Sequence, residues 1–125
     1  MDYRFPKSAR LLTSREFQRV SSQGRRSTTR YFTLLTRDVL SDPIRLGITV
    51  SRKVGNAVQR SRVKRLIRET FRLLRPMLKS GLECVIIAKP MAGQTVNAEL
   101  LRDLRQLLAR HEIPDPTALH GTEQK

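Results

Sequence analysis

Residues 45–75 read RLGITVSRKVGNAVQRSRVKRLIRETFRLLR, and this stretch decides the fold. In residues 45–51 apolar side chains alternate with others, a period of two that predicts a half-buried strand. Asn56 is a favourable helix N-cap, and Gln59 follows it at the spacing of a capping box. Pro76 cannot continue a helix, so the helix that begins after Asn56 is predicted to end just before it. The stretch therefore predicts a strand, a capped turn and a long helix.

The helix predicted over residues 57–74 has one apolar side and one basic side. Residues at intervals of three and four form an apolar stripe: Val63, Leu66, Ile67, Phe71, Leu74 and Leu78. The opposite side carries the cations Arg60, Lys64, Arg68, Arg72 and Arg75, with Arg62 and Arg65 beside them. Like charges four residues apart repel one another, and Glu69 is the one acid between Arg52 and Arg75. The pattern indicates a surface that binds a polyanion, rather than an ordinary solvated helix face.

The composition limits the class of protein. The chain has 125 residues, which suits one domain, and its net charge of +14 favours nucleic acid as the partner. No run approaches the ~18 apolar residues of a membrane span, and the first ten residues do not resemble a signal peptide. The lone Cys84 is predicted to be a buried small hydrophobe in a reducing, cytoplasmic compartment.

The chain before residue 45 predicts a helix followed by strand. LLTSREFQRV, residues 11–20, has the pattern of a short helix that Gly24 ends. Residues 25–37 are rich in Thr, Tyr and Phe, which favours a strand. That strand is either continuous or broken near residues 27–29 into two.

The chain after residue 80 predicts one strand and one helix. Residues 83–88, ECVIIA, form a continuous apolar run, typical of a strand inside a sheet. Residues 89–95 are predicted as a loop, and Asn97 as the cap of a last amphipathic helix. The order α-β-β-β-α-β-α predicts an α+β sandwich of about four mixed strands and three helices. We expect residues 1–112 to form one domain and residues 113–125 a disordered tail.

Known catalytic and cofactor patterns are missing from the sequence. The acidic residues are scattered, and neither a D-x-D nor an H-x-H spacing occurs. The glycine-rich phosphate-binding motifs and a Cys/His cluster are also lacking. We therefore predict no catalytic residue, no metal site and no small-molecule cofactor on this chain, which indicates a binder rather than a catalyst.

Aromatic residues near the predicted strands suggest RNA. Proteins that bind single-stranded RNA often stack its bases on aromatic side chains of a sheet, and Phe17, Tyr31 and Phe32 are candidates. Since Tyr31 and Phe32 are consecutive in a predicted strand, they should point to opposite faces. At least one of these two is therefore expected to pack in the core.

The run RLGITVSRKVGNAVQRSRVKRLIRETFR, residues 45–72, resembles the signature of the protein subunit of bacterial ribonuclease P. LLTSREFQRV, ECVIIAK and the closing helix also match, so the resemblance covers roughly residues 5–110. It implies a small basic protein that assists one catalytic RNA in removing the 5′ leader from precursor tRNA. The protein itself would supply no catalytic group. It further implies one protein per RNA, and magnesium ions held mainly by the RNA.

The resemblance also implies two sets of site residues. The residues expected to contact the RNA subunit are Arg60, Ser61, Arg62, Lys64, Arg65 and Arg68. The residues expected in a cleft for the precursor leader are Phe17, Arg30, Phe32, Arg52 and Lys53. Ser61 stands where the family usually has Asn, and Ser21 and Leu35 where relatives often carry aromatics. The family fold implies a left-handed β-α-β crossover through the basic helix, against the usual right-handed rule.

Two other functions stay open from the residues alone. A general RNA-binding or ribosome-associated protein would carry the same basic helix. A nuclease acting alone is the third possibility, and the scattered acids argue against it. If the chain stimulates the cleavage of precursor tRNA that the RNA subunit catalyses, it is a ribonuclease P protein rather than either alternative.

Overall fold

Within the described residues, three α-helices and four strands follow one another in the predicted order. The computed structural model describes residues 14–38, 45–77 and 82–110. The helices are α1 (Ser14–Gln23), α2 (Ala57–Leu74) and α3 (Asn97–Ala109). The strands are β1 (Arg25–Thr28), β2 (Phe32–Asp38), β3 (Arg45–Thr49) and β4 (Leu82–Ala88). The α+β prediction is confirmed, and the predicted tail, residues 113–125, lies outside the described residues.

The four strands form one mixed sheet in the order β1-β2-β4-β3. β2 is antiparallel to both β1 and β4, and Leu34 of β2 lies opposite Ile86 of β4. β3 is parallel to β4, with Leu46 opposite Cys84. Parallel neighbours need a long crossover connection, and α2 provides it. The left-handed sense of that crossover stays a prediction from the resemblance.

The chain breaks between β1 and β2 because Thr29 offers the backbone a local partner. The Thr29 hydroxyl accepts hydrogen bonds from the amides of Tyr31 (3.3 Å) and Phe32 (3.1 Å). The Thr29 amide donates to the Phe32 carbonyl at 2.8 Å. Such side-chain bonds compete with the strand ladder. The alternative of two strands is thus confirmed, with the break at residues 29–31.

α2 begins at the predicted cap. The Asn56 carboxamide oxygen accepts from the Gln59 amide, and the Gln59 side chain accepts from the Asn56 amide, each at 2.9 Å. Gly55, with φ of 155°, precedes the cap, and a Cβ there would overlap the Gln59 side-chain oxygen. The capping box therefore requires glycine at this position. The helix ends at Leu74, just before Pro76, as predicted.

The main core lies between one face of the sheet and the helices α2 and α3. Val63, Ile67 and Phe71 of α2 are completely buried there, which confirms the predicted apolar stripe within α2. Leu78, the last predicted member of the stripe, lies outside the described residues. Tyr31 and Phe32 are both buried in the same core. The prediction that they point to opposite faces is wrong. Tyr31 precedes β2, so the alternation of side chains along a strand does not apply to it.

α1 packs on the other face of the sheet and completes a three-layer sandwich. Val20 of α1 is buried against Leu35 and Val85, with Phe17 partly buried beside them. Gly24 follows the helix directly, as predicted, and its amide donates to the Val20 carbonyl at 2.9 Å. The sheet therefore has a large core on one side and a small one on the other.

Ion pairs fix α1 over one end of the sheet. The buried carboxylate of Glu83 on β4 lies 3.1 Å from Arg37 of β2 and 3.6 Å from Arg19 of α1. Glu16 of α1 pairs with Arg45, the first residue of β3. All these partners lie where β2 ends and where β3 and β4 begin. The opposite end of this face is left uncovered by α1.

Cys84 gives a test of this core. Its side chain is completely buried, as predicted, and burial raises the pKa of its thiol well above the usual range. Because the reactive species is the thiolate, we expect an aromatic disulfide reagent to leave native Cys84 unmodified and to react fully in guanidinium chloride. Rapid modification of the native protein at neutral pH would contradict the packing. A Cys84→Ala variant provides the blank.

Candidate nucleic-acid interface

The outer side of α2 presents cations to solvent. Ser61, Arg65 and Arg68 are exposed, and Lys64 is half-buried. Within the ranges that the structure describes, no hydrogen bond or ion pair engages the side chains of Lys64, Arg65 or Arg68. These residues line a hollow of about 590 Å³, together with Val58, Ser61, Arg62 and Asn97. The hollow has the charge and the donors to hold phosphate oxygens.

Arg62 differs from its neighbours because its guanidinium is occupied within the protein. One terminal nitrogen donates to the Thr95 carbonyl (3.1 Å) and the Asn97 side-chain oxygen (2.5 Å). The other donates to the carbonyls of Gly93 (2.9 Å) and Ala92 (3.4 Å). Arg62 therefore ties α2 to the turn before α3.

The contact with Arg62 also explains why Asn97 is not a helix cap. α3 starts at Asn97, and the N-cap is Val96, which makes no side-chain cap bond. The Asn97 oxygen that would cap a helix accepts from Arg62 instead. The predicted cap is thus wrong by one residue. The residues before it, predicted as a loop, form a short 3-10 helix, Pro90–Gln94.

The basic ridge predicted from the helical wheel is divided by these internal contacts. The Arg60 side chain donates to the Gly55 carbonyl at 3.2 Å and so holds the turn that starts α2. Arg72 pairs with Glu69 one turn earlier, with nitrogen and oxygen 2.8 Å apart. The cations of this side that have no side-chain partner within the described residues, called the cationic row below, are Lys64, Arg65 and Arg68.

A second candidate surface is the part of the sheet that α1 leaves open. Side chains alternate between faces, so Thr33, Ile87 and Thr49 share the face that carries Val85. Ile87 and Thr49 are half-buried there and Thr33 is buried, and we call this strip of the sheet beside α1 the open trough. Phe17 forms its wall: a Cβ on Gly47 would lie 2.6 Å from the tip of the Phe17 ring.

Three of the predicted cleft residues lie at the end of the sheet that α1 leaves uncovered, and two of them, Arg52 and Lys53, form the far rim of the open trough. Arg52 and Lys53 are exposed in the 3-10 turn that follows β3 (Arg52–Val54). Arg30 is exposed in the turn before β2, and its guanidinium lies 6.0 Å from the ring centre of Tyr31. Since β3 ends where β2 begins, all three residues lie at the same end of the sheet. Arg30 leans toward α3, because Tyr31 lies in the core on that side.

The prediction that Phe32, the fifth residue of the expected cleft, faces the leader is wrong. Its side chain is completely buried in the core beneath α2 and α3, on the face opposite Phe17. It therefore has no access to the open trough. Leu35 does lie on the correct face, but it is buried under α1, and Ser21 is exposed on α1.

Carboxylates at the interface between α3 and the sheet have structural partners. Glu99 of α3 accepts a hydrogen bond from the Tyr31 hydroxyl, and Asp103 accepts one from Thr29 at 2.5 Å. The bond to Glu99, with burial, raises the pKa of Tyr31 above its ordinary value.

Among the described residues, no group of His, Cys, Asp or Glu is arranged to hold a metal ion. None of the described helices is long and apolar enough to cross a membrane.

A three-layer α+β protein with an exposed cationic row and a trough on its sheet belongs to the class of basic RNA-binding proteins. A family model described as Ribonuclease P matches residues 5–112. The ribonuclease P protein component of Desulforapulum autotrophicum is 40% identical over 108 residues, which are 86% of this chain and 92% of the relative.

Solved structures agree with the sequence comparison. The ribonuclease P protein of Staphylococcus aureus matches with a TM-score of 0.77 at 32% identity, over 82% of this chain and 94% of that one. The protein from Thermotoga maritima matches with a TM-score of 0.74 at 31% identity, over 83% of this chain and 98% of that one. The chain therefore belongs to the ribonuclease P protein family. It is a component of the ribonuclease P holoenzyme and works with an RNA subunit in processing tRNA 5′ ends.

Proposed function

We propose that the cationic row binds the RNA subunit of ribonuclease P, while the open trough receives the single-stranded 5′ leader of precursor tRNA. The observation that carries the proposal is the contrast along α2. Arg60, Arg62 and Arg72 have internal partners, whereas the cationic row has none within the described ranges. Uncompensated like charges on one helix favour association with a polyanion.

The cationic row suits a structured RNA. Arg68 follows Arg65 by three positions and Lys64 by four, so it is a neighbour of both on the helix surface, with Cβ atoms about 5–6 Å apart. Arginine can bind a phosphate through two parallel hydrogen bonds, and Ser61 adds a hydroxyl donor beside the row. Phosphate contacts of this kind fix the position of an RNA without reading its sequence.

The open trough suits a single strand. Two strand spacings separate β2 from β3, so the floor is about 10 Å wide. The Phe17 ring offers a surface on which an unpaired base can stack, and half-buried Thr49 adds a hydroxyl group on the floor. Arg52 and Lys53 lie where they can contact the leader backbone. The bases of a duplex are already stacked on one another, so the Phe17 ring could not stack on them.

The remaining features of the proposed holoenzyme concern chemistry outside this chain. Magnesium ions for the hydrolysis are held mainly by the RNA, and one protein binds one RNA in the cytoplasm. The described carboxylates that would bind a metal are used in the fold, as Glu83 and Glu99 illustrate. In this scheme the protein contributes positioning and electrostatic support, and the RNA contributes the catalytic groups.

Reconstitution tests the function directly. The purified chain is mixed with a bacterial ribonuclease P RNA at low magnesium, and cleavage of a 5′-extended precursor tRNA is measured with each component omitted in turn. We expect cleavage only when both components are present. Cleavage by the protein alone would indicate a nuclease, and binding without stimulation would indicate a general RNA-binding protein.

Removal of one cation from the row should weaken binding of the RNA subunit. We expect Arg65→Ala and Arg68→Ala each to cost about 1–3 kcal/mol, the scale of a charge-assisted hydrogen bond. The slope of log affinity against log salt should fall by about one for each variant. Filter binding over a salt series measures both quantities. Arg102→Ala, which removes an exposed cation from α3, is the matched control, and an equal loss there would contradict a localised site.

Removal of the Phe17 ring should affect the leader selectively. We expect Phe17→Leu, which keeps an apolar side chain over Gly47, to weaken binding of precursor tRNA by about 1–3 kcal/mol, since one stacked base is lost. Mature tRNA, which has no leader, should bind as before. Val20→Ala, in the same small core, controls for loosening of α1. If precursor and mature tRNA lose the same binding affinity, Phe17 only packs α1 on the sheet and does not contact the leader.

A further inference from the structure

Arg62 donates to backbone carbonyl groups in the turn that precedes α3. At the end of the 3-10 helix Pro90–Gln94, the Ala92 carbonyl accepts from the Thr95 amide at 3.3 Å, and the Gly93 and Thr95 carbonyls follow it. The two terminal nitrogens of Arg62 reach the carbonyls of Ala92, Gly93 and Thr95 together with the Asn97 side chain. A planar guanidinium can satisfy several acceptors from one fixed position, whereas a lysine ammonium cannot span them in the same way.

The turn that Arg62 holds is in direct contact with the far rim of the open trough. Gly93 lies so close to Val54 that a Cβ on it would overlap the Val54 carbonyl oxygen. Val54 is buried in the main core and ends the 3-10 turn that carries Arg52 and Lys53. Backbone therefore packs on backbone here, and a shift of the residue 90–95 turn must displace the turn with the two rim cations.

We propose that Arg62 is a positioning residue for the precursor leader and not a contact of the RNA subunit. It fixes the turn at residues 90–95, that turn supports Val54, and Val54 sets where Arg52 and Lys53 stand. This inference rests on the proposed function, because it assumes that the rim cations meet the leader. It separates Arg62 from Arg65, which is only three residues further along α2 but has no internal partner within the described residues.

The test uses holoenzyme reconstituted with saturating RNA subunit. For Arg62→Lys we expect the preference for precursor over mature tRNA to fall about tenfold, the loss of one charge-assisted contact. Affinity for the RNA subunit and its salt slope should stay within twofold of the unchanged protein. Gly93→Ala, with Arg62 intact, should reproduce the loss of preference. Arg62→Lys that behaves like Arg65→Ala, with weaker RNA binding and an unchanged preference, would overturn the proposal.

A double-mutant cycle with Lys53→Ala distinguishes positioning from general destabilisation. If Arg62 acts through the rim, Arg62→Lys should add little to the loss already caused by Lys53→Ala. Additive losses would contradict the proposal. Leu104→Ala, which removes completely buried core volume from α3, provides the destabilised control and should leave the preference unchanged. If Lys53→Ala itself has no effect on the preference, the leader assignment of the rim fails, and the inference fails with it.

Discussion

The packing of α2 against the parallel pair β3–β4 is the interaction on which the rest of the structure depends. A parallel pair cannot be closed by a tight turn, and α2 is the crossover that joins it. The buried side chains of Val63, Ile67 and Phe71 pack one side of this helix against the sheet. Because they recur every three or four residues, the cations between them are turned away from the core. The cationic row is thus a geometric consequence of burying the apolar stripe.

The distribution of acidic residues determines where the positive charge remains. Every acid in the described ranges has an internal partner: Glu16, Asp38, Glu69, Glu83, Glu99 and Asp103. Several of these pairs lie between layers, as Glu83 does between the sheet and α1. Four of the acids pair with cations, Glu99 and Asp103 accept from hydroxyl groups, and none pairs with a cation of the cationic row. The excess charge of the described chain therefore remains on surfaces that a polyanion can reach.

Local signals made much of the fold predictable from the sequence. The cap at Asn56 and the end of α2 depend on residues within one helical turn, and both are confirmed. The 3-10 helix Pro90–Gln94 gives no such periodic signal and was predicted as a loop. The face on which Phe32 lies could not be read from its neighbours. It depends on which helices cover each side of the sheet and on the bend that Thr29 stabilises.

The different roles of the arginines on α2 follow from their position relative to the apolar stripe. Arg62 precedes buried Val63 and lies on the edge of the helix that, with Leu66 and Leu73, lines the groove toward α3. An arginine on that edge meets the ends of the neighbouring elements and finds backbone carbonyls there. Arg68, on the outer side, meets only solvent within the described structure. A motif rich in arginine therefore cannot by itself assign every member to RNA, because tertiary packing decides which guanidinium groups are already occupied.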